Sequence, residues 1–254
     1  MIVKSHRAPG DRGRRVPSVV AHRGAPGPWR ENTTEAFRGA ARMGADGVEM
    51  DVRMTADRVL VVHHDPLVEG SLPIHLSDRE DLPDWVPTIE AALWACAGMD
   101  VDLEVKNLPG DPAYDPEESI AVALANAVES WLASRIAGEG SRRLMVSSFS
   151  PATLRVFRGC TTAVATGLLV HPAVGAGGMV ELADELGCSV LLPHFSLLSD
   201  ELVSGARARG MEVWTWTPDT RSELLDASEA GADAVITDEV ARALGLFAPG
   251  LGRS

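Results

Sequence analysis

Apolar and polar positions along the chain change period repeatedly from residue 18 onward. Short β-branched runs predict buried strands, and the Ala- and Leu-rich stretches between them have the length of helices. We predict strands over residues 18–23, 47–52, 101–106, 144–148, 163–170, 189–193, 212–217 and 234–237, and helices over residues 33–43, 88–96, 117–137, 151–157, 178–186, 199–209 and 220–230. Eight strands that alternate with helices indicate an α/β fold, the (β/α)8 TIM barrel.

The alternation is interrupted after the second strand. Residues 58–63 form a further extended run, which predicts a hairpin-like excursion at the top of the barrel. Residues 66–87 are rich in Pro, Asp and Ser and predict a long loop, so we expect a short insertion with a functional role. Asn32, Ser150 and Asp219 stand where helix N-caps are expected.

Length and composition fit one large domain. A chain of 254 residues with 45% hydrophobic residues can bury one large core, so we predict a single domain over residues 16–254 after a flexible tail over residues 1–15. Cys96, Cys160 and Cys188 lack CxxC spacing, which argues against a disulfide framework or a thiolate zinc site and indicates a reducing compartment. Because no apolar run has the length of a signal peptide or a membrane span, we expect a cytoplasmic protein without membrane insertion.

The formal net charge of -13 limits the possible partners. An acidic surface repels the backbone of nucleic acids, which makes nucleic acid an unfavourable partner. An acidic protein that binds a phosphate needs local cations, either Arg and Lys side chains or a bound metal ion.

Acidic side chains alternate with apolar ones in two predicted strands. Glu49 and Asp51 share one face of the second strand, and Asp102, Glu104 and Lys106 share one face of the next main strand. Carboxylates that converge at the carboxyl ends of neighbouring strands form an oxygen-rich site for Mg²⁺ or Ca²⁺. Charged residues inside a barrel also pair with one another, but two acidic pairs on separate strands favour a metal site, with Asp102 as a structural residue.

Histidines at strand ends are candidates for proton transfer. A single histidine is usually structural, but His22 and the pair His63 and His64 stand near the carboxylates and Arg23. Imidazole has a pKa suited to both removing and donating a proton near neutrality. Because His63 and His64 point to opposite faces of an extended strand, only one can reach the site, and the spacing does not choose between them.

Other polar and aromatic positions keep two interpretations. Arg23 offers a planar fork for a phosphate or is a surface residue on a loop. Trp214 is assigned to packing, and Trp216, on the same strand face, to packing or to a pocket wall. His171 and His194 each follow a predicted strand, and each is either a loop residue or a contact of the ligand. The chain has no P-loop, no GxSxG motif and no strand followed by GxGxxG.

Taken in order, a series of motifs resembles the glycerophosphodiester phosphodiesterase family. The motifs are HRG at residues 22–24, ENT at 31–33, GADGVEMDV at 44–52, HD at 64–65, PTIE at 87–90, LEVK at 103–106, SSF at 147–149, WTWT at 214–217, and GAD at 231–233 leading to ITD at 236–238. The resemblance implies a (β/α)8 barrel that hydrolyses small glycerophosphodiesters to sn-glycerol 3-phosphate and an alcohol.

The resemblance also implies roles for single residues. His22 and His64 take the acid and base positions, and His64 is chosen over His63 because the family's histidine directly precedes Asp. The other assignments are Glu49, Asp51 and Glu104 as ligands of one Mg²⁺ or Ca²⁺, Arg23 and Lys106 as phosphate contacts, Glu31 at the rim, and Phe149 and Trp216 as pocket lining. In the implied mechanism one histidine deprotonates the substrate's glycerol 2-hydroxyl, which attacks phosphorus, and the other protonates the departing alcohol. Water then opens the cyclic phosphate.

Three departures and two alternatives accompany the resemblance. Arg30 replaces a frequent Pro, residues 66–86 are shorter than the family's insertion and lack its Gly-rich stretch, and Glu239-Val240 replaces the approach to a Pro. The short insertion leaves open a lysophospholipase D-like or phospholipase C-like activity on a larger lipid. A barrel that only binds a phosphorylated ligand is disfavoured, because binding alone does not need His64.

Overall fold

The computed structural model describes residues 16–134, except 26, 28 and 97, and residues 143–247. The predicted tail over residues 1–15 lies outside this part of the chain. The strands are β1 (Ser18–Ala21), β2 (Gly47–Met54), β3 (Leu60–Val62), β4 (Leu67–Val68), β5 (Leu72–Pro73), β6 (Asp100–Val105), β7 (Leu144–Ser148), β8 (Ala165–Val170), β9 (Val190–Pro193), β10 (Glu212–Trp216) and β11 (Ala234–Thr237). The helices are α1 (Thr34–Met43), α2 (Ile89–Ala95), α3 (Ser119–Ser134), α4 (Pro151–Cys160), α5 (Met179–Glu185), α6 (Asp200–Ala208), α7 (Arg221–Ala230) and α8 (Val240–Phe247).

The parallel strands form a closed ring. β1 pairs with β11 on one side and with β2 on the other, and the ring continues through β6 to β10. The described residues therefore form a barrel of eight parallel strands surrounded by helices, which confirms the predicted (β/α)8 fold. None of these helices combines the length and the apolar character that crossing a bilayer requires.

The two faces of the barrel strands have different partners. On β2, Val48, Met50 and Val52 are fully buried in the main core, which also contains Phe37 of α1. A second apolar cluster of residues on the opposite strand faces contains Val20, Met145, Leu169, Val190, Leu192, Trp214, Ala234 and Ile236. The interior is therefore apolar in its lower part, and its polar side chains lie toward the carboxyl ends of the strands.

The insertion after β2 is compact. β3 runs antiparallel to β2, as the predicted hairpin requires, and β4 and β5 form a second small hairpin. Two 3-10 turns follow, Ile74–Leu76 and Arg79–Asp81. The loop predicted over residues 66–87 thus contains a hairpin of two-residue strands and two short turns, and it packs on a small apolar core. That core consists of Val61, Val68, Ile74, Leu82 and Val86.

Two predicted helix caps are shifted by one residue. Ser150 caps α4 as predicted, but Thr33 caps α1 and Thr220 caps α7. Asn32 and Asp219 stand one residue before these caps. Asn32 binds Asp51 instead, and Asp219 accepts hydrogen bonds from the Thr237 hydroxyl at 2.8 Å and the Asp238 N–H at 2.9 Å. Both residues thus connect a loop to a barrel strand rather than starting a helix.

Candidate active site

A cavity of about 320 Å³ lies at the carboxyl ends of the barrel strands. Its lining consists of His22, Arg23, Glu49, His64, Asp102, Glu104, Lys106, Phe149, Leu169, His171, Trp216, Thr217 and Ile236. Active sites of (β/α)8 enzymes are built at this end of the barrel, from the loops that follow the strands.

Three buried carboxylates meet at this cavity. β2 and β6 pair in parallel with Asp51 opposite Glu104, so the inward faces of both strands bring Glu49, Asp51 and Glu104 together. One oxygen of each carboxylate lies within 4.8 Å of the others. The convergence predicted from strand alternation is therefore present, and the group is suited to hold a hard cation.

Two cations neutralise part of this charge. The Lys106 Nζ lies 2.5 Å from Glu104 Oε1 and 2.9 Å from Asp51 Oδ1, and the Arg23 Nε lies 3.3 Å from Asp51 Oδ2. Burial opposes ionisation of Asp51, but the charges of Lys106 and Arg23 outweigh it and hold the pKa of Asp51 well below its usual range. Burial likewise acts to lower the pKa of Lys106, whereas Glu104 and Asp51 act more strongly and raise it.

Glu49 retains an unsatisfied oxygen. Its Oε2 accepts the backbone N–H of Arg23 at 3.0 Å, but its Oε1 is buried without a hydrogen-bond partner. Burial, together with the charges of Asp51 and Glu104, raises the pKa of Glu49 well above its usual value. Three carboxylates thus face two cations, and a phosphodiester would add another negative charge. A divalent cation would balance this excess, so the residues present fit a metal site.

His22 is oriented by the last barrel strand. Its Nδ1 lies 2.8 Å from Asp238 Oδ1, just after β11, and its Nε2 lies 3.9 Å from Glu49 Oε2. An ionised carboxylate only accepts, so Nδ1–H donates to Asp238 and Nε2 faces the carboxylates. This hydrogen bond also lowers the pKa of Asp238. Asp238 had no role assigned from the sequence, although it stands in the ITD motif.

The two neighbouring histidines have different surroundings. His64 lines the cavity, and its Nδ1 lies 2.8 Å from Asp65 Oδ1. His63 packs against Trp85 with ring centroids 5.8 Å apart, and its Nδ1 contacts the Asp65 carbonyl at 2.8 Å. The structure thus brings His64, and not His63, to the carboxylates.

The β1–α1 loop supports the carboxylate group from outside. Asn32 is buried, and its Nδ2 donates to Asp51 Oδ2 at 2.7 Å while its Oδ1 accepts the Asp51 N–H at 3.2 Å. Glu31 is exposed and accepts from Arg23 Nη1 at 3.1 Å, so it lies beside the site and outside the cavity lining. Asn32 was assigned only a capping role from the sequence, and the ENT motif was the available signal.

Aromatic rings form the opposite wall of the cavity. Phe149 and Trp216 meet edge to face with centroids 5.3 Å apart, and the Trp216 Nε1 donates to the Leu192 carbonyl at 2.9 Å. Trp214 is buried in the barrel interior, in agreement with its predicted packing role. His171 lines the cavity, whereas His194 packs against Trp216 at 4.9 Å and is outside the lining. Trp216 therefore contacts both histidines, with its ring centroid 6.2 Å from that of His171.

Comparisons with known proteins identify the family of this chain. The model of the glycerophosphoryl diester phosphodiesterase family matches residues 22–242. A glycerophosphodiester phosphodiesterase of Caldanaerobacter subterraneus subsp. tengcongensis is 28% identical over 243 residues, which cover 91% of this chain and 98% of that protein.

Two solved structures have the same fold. A phosphodiesterase of Oleispira antarctica, in complex with the product sn-glycerol-3-phosphate, has a TM-score of 0.77 and 25% identity, and the match covers 91% of this chain and 96% of that one. A glycerophosphodiester phosphodiesterase of Parabacteroides distasonis has a TM-score of 0.78 and 23% identity, with 92% and 98% of the two chains covered. With the family model matched from His22 to Arg242, the chain belongs to the glycerophosphoryl diester phosphodiesterase family.

Proposed function

We propose that this protein hydrolyses glycerophosphodiesters to sn-glycerol 3-phosphate and an alcohol. The observation that carries the proposal is the cavity at the carboxyl ends of the barrel strands, where His22, His64, Arg23 and Lys106 lie beside a group of three carboxylates. Family membership supports it, and so does the Oleispira antarctica relative, which is described with sn-glycerol-3-phosphate as its product.

His22 and His64 are the proposed acid and base. The Nδ1 atom of each ring is bound to a carboxylate, Asp238 for His22 and Asp65 for His64, which leaves Nε2 as the atom for proton transfer. One imidazole removes the proton of the glycerol 2-hydroxyl, and that oxygen forms a bond to phosphorus. The bond from phosphorus to the alcohol breaks, and the other imidazole donates a proton to the departing oxygen.

The cyclic phosphate formed in this step is then hydrolysed. Water attacks phosphorus and the two histidines exchange roles, so that the 2-oxygen recovers its proton and both rings return to their starting states. Arg23 and Lys106 bind the phosphate oxygens, since both line the cavity with their charges beside the carboxylates. Charge developing on the phosphoryl oxygens is thereby stabilised in a largely buried environment.

Glu49, Asp51 and Glu104 would hold one Mg²⁺ or Ca²⁺. Their oxygens are hard ligands that both ions accept. When bound, the ion supplies positive charge that neutralises phosphate oxygens and favours ionisation of the attacking hydroxyl. The unsatisfied Oε1 of Glu49 and the excess of carboxylates over cations support this assignment.

Phe149 and Trp216 would contact the glycerol or the leaving alcohol. A larger lipid substrate, as for a lysophospholipase D-like enzyme, is the second candidate. The loops that follow β2 and β6, at the cavity end of the barrel, carry exposed apolar side chains: Leu76 is 71% exposed, Tyr114 38% and Leu108 36%. Such side chains suit contact with an acyl chain.

The proposal is tested by release of sn-glycerol 3-phosphate from glycerophosphocholine and glycerophosphoethanolamine, and by release of choline from lysophosphatidylcholine. Each substrate is incubated with Mg²⁺, Ca²⁺ or EDTA. We expect metal-dependent release that falls about 10²-fold or more in His64→Ala. Glu49→Gln should also abolish the metal-dependent release. Glu181→Gln serves as the control, because Glu181 is an exposed residue of α5 that pairs with Arg209.

The outcomes separate the candidates. Release from the small diesters supports the proposed function, and release of lysophosphatidate or choline from lysophosphatidylcholine alone would favour the lipid enzyme. A folded wild-type protein that hydrolyses none of these substrates with either metal would contradict both.

A further inference from the structure

Arg53 extends β2 two residues beyond Asp51 and has a side chain only 5% exposed. Its Nε donates to the backbone carbonyl of His64 at 2.8 Å. Its Nη2 and Nη1 donate to Oδ2 and Oδ1 of Asp111 at 2.9 and 3.4 Å. One guanidinium thus connects β2, the segment that carries His64, and the loop between β6 and α3.

Asp111 is itself fixed in this loop. Its Oδ1 accepts the backbone N–H of Ala113 at 2.8 Å. Burial acts to raise the pKa of Asp111, but the hydrogen bonds from Arg53 and from the Ala113 N–H, together with the charge of Arg53, outweigh it and lower that pKa. Asp111 is therefore a carboxylate at neutral pH, and the planar two-bond geometry of the pair defines the direction in which Arg53 Nε points.

His64 depends on such support, because it lies outside regular secondary structure. β3 ends at Val62 and β4 begins at Leu67, so the backbone at His64 belongs to neither strand. Two hydrogen bonds attach this segment to β2: the His63 N–H donates to the Asp51 carbonyl at 2.9 Å, and Arg53 Nε holds the His64 carbonyl. The second bond acts directly on the residue whose imidazole lines the cavity.

We propose that the ion pair of Arg53 and Asp111 positions His64 for proton transfer. This inference rests on the proposed function, in which His64 is an acid or base. Arg53 is a positioning residue. It is not among the residues that line the catalytic cavity, and it acts on the reaction through its hydrogen bond to the His64 backbone carbonyl. A displacement of about 1 Å in a reacting group can lower the rate about 10²-fold.

The inference predicts an effect on turnover more than on substrate binding. The phosphate contacts assigned to Arg23 and Lys106 do not include Arg53, so the KM should change little when the pair is lost. A positive charge at position 53 should not by itself maintain kcat, because a lysine ammonium cannot form two bonds to Asp111 and donate to the His64 carbonyl in the same plane. Arg53→Lys should therefore resemble Arg53→Met.

The test measures kcat and KM with glycerophosphocholine at saturating metal for wild type, Arg53→Met, Arg53→Lys, Asp111→Asn and His64→Ala. The matched control is Arg143→Met, which breaks an ion pair with Glu212 at 2.9 Å before β7. We expect kcat to fall about 10-fold to 100-fold in both Arg53 variants, with KM within about 2-fold and a smaller fall for Asp111→Asn. The control should retain kcat.

A double variant separates positioning from a general structural role. In the His64→Ala background, assayed at raised enzyme concentration, Arg53→Met should reduce the residual kcat by less than about 2-fold, because the residue it positions is gone. An unchanged kcat in Arg53→Lys and Asp111→Asn, or an equally large fall in the His64→Ala background, would overturn the inference. If Arg53→Met shows no thermal unfolding transition and is therefore not folded, the kcat values of Arg53→Lys and Asp111→Asn test the inference instead. A wild type without activity, or a fully active His64→Ala, would instead remove the proposed function beneath it.

Discussion

At the scale of single residues, Asp102 is a buried carboxylate in the barrel interior. It lies two residues before Glu104 on β6, and both of its oxygens are buried without a hydrogen-bond partner. Burial raises the pKa of Asp102 to about 8 from an ordinary value of 3.8. Between these pH values the folded protein keeps a proton that the unfolded chain releases. The free energy of unfolding must therefore fall as the pH rises through this window.

Asp102→Asn should remove this dependence, since an amide has no proton to lose here. We expect the variant to gain stability relative to wild type between pH 5 and pH 8, by up to roughly 1.4 kcal/mol per pH unit. Urea unfolding at both pH values, in EDTA, measures the difference. Asp84→Asn, which changes an exposed carboxylate, is the control. Parallel changes in wild type and Asp102→Asn would show that Asp102 is ionised in the folded protein.

Sequence reasoning predicted residue contacts well where one strand register determined them. Glu49, Asp51 and Glu104 converge because β2 and β6 are neighbouring parallel strands, and side-chain alternation alone predicts this. The contact between His22 and Asp238 joins residues 216 positions apart and exists only because β11 closes the barrel against β1. No local pattern contains that information. The roles assigned to these residues stay predictions.

At the scale of elements, the turn from β1 to α1 depends on Gly24. Its φ is +90°, and a Cβ at this position would lie 2.7 Å from the Cβ of Ala36 and 2.9 Å from its carbonyl carbon. The turn carries His22 and Arg23, and the Ala25 N–H is bonded to the Ala36 carbonyl at 3.0 Å. Gly24 thus allows α1 to approach the site closely.

Gly24→Ala should be more destabilising than Gly44→Ala. Gly44, at the end of α1, has a φ of +88°, but a Cβ there would meet no atom within 4 Å. The control therefore measures the cost of the backbone conformation, about 1 kcal/mol, while Gly24→Ala adds a steric clash of roughly 1–3 kcal/mol. Thermal and urea unfolding give the two values. Equal losses would mean that α1 moves away without cost.

Elements with a regular period were predicted to within a few residues, whereas the small core within the insertion was not predicted. β7 and β11 have the predicted bounds, and the other barrel strands differ only at their ends. In the insertion, Val68, Ile74 and Leu82 are spaced too irregularly for a strand or a helix, although they pack together in one small core. Helix α8, which follows the last barrel strand, was not predicted from the sequence.

At the scale of the whole molecule, folding concentrates negative charge in a protein whose net charge is already -13. Glu49, Asp51 and Glu104 approach within 4.8 Å only in the closed barrel. An ion that binds this group binds the folded state and not the unfolded chain. Its binding free energy must therefore add to the free energy of unfolding.

Mg²⁺ and Ca²⁺ should accordingly raise the Tm of the wild-type protein above its value in EDTA. At a concentration 100 times the Kd, the gain in the free energy of unfolding is about 2.7 kcal/mol, or roughly 5–10 °C in Tm for a chain of this size.

Glu49→Gln removes a buried carboxylate whose pKa is raised by burial and by Asp51. Its Tm in EDTA should therefore equal or exceed that of wild type, while its response to either ion is lost. Glu181→Gln should respond as wild type does, and Na⁺ at matched ionic strength separates ion binding from screening. A wild-type Tm that shifts equally with Na⁺ and with both divalent ions would contradict a metal site at these carboxylates, whereas a response confined to one of them would identify the ion that the barrel selects.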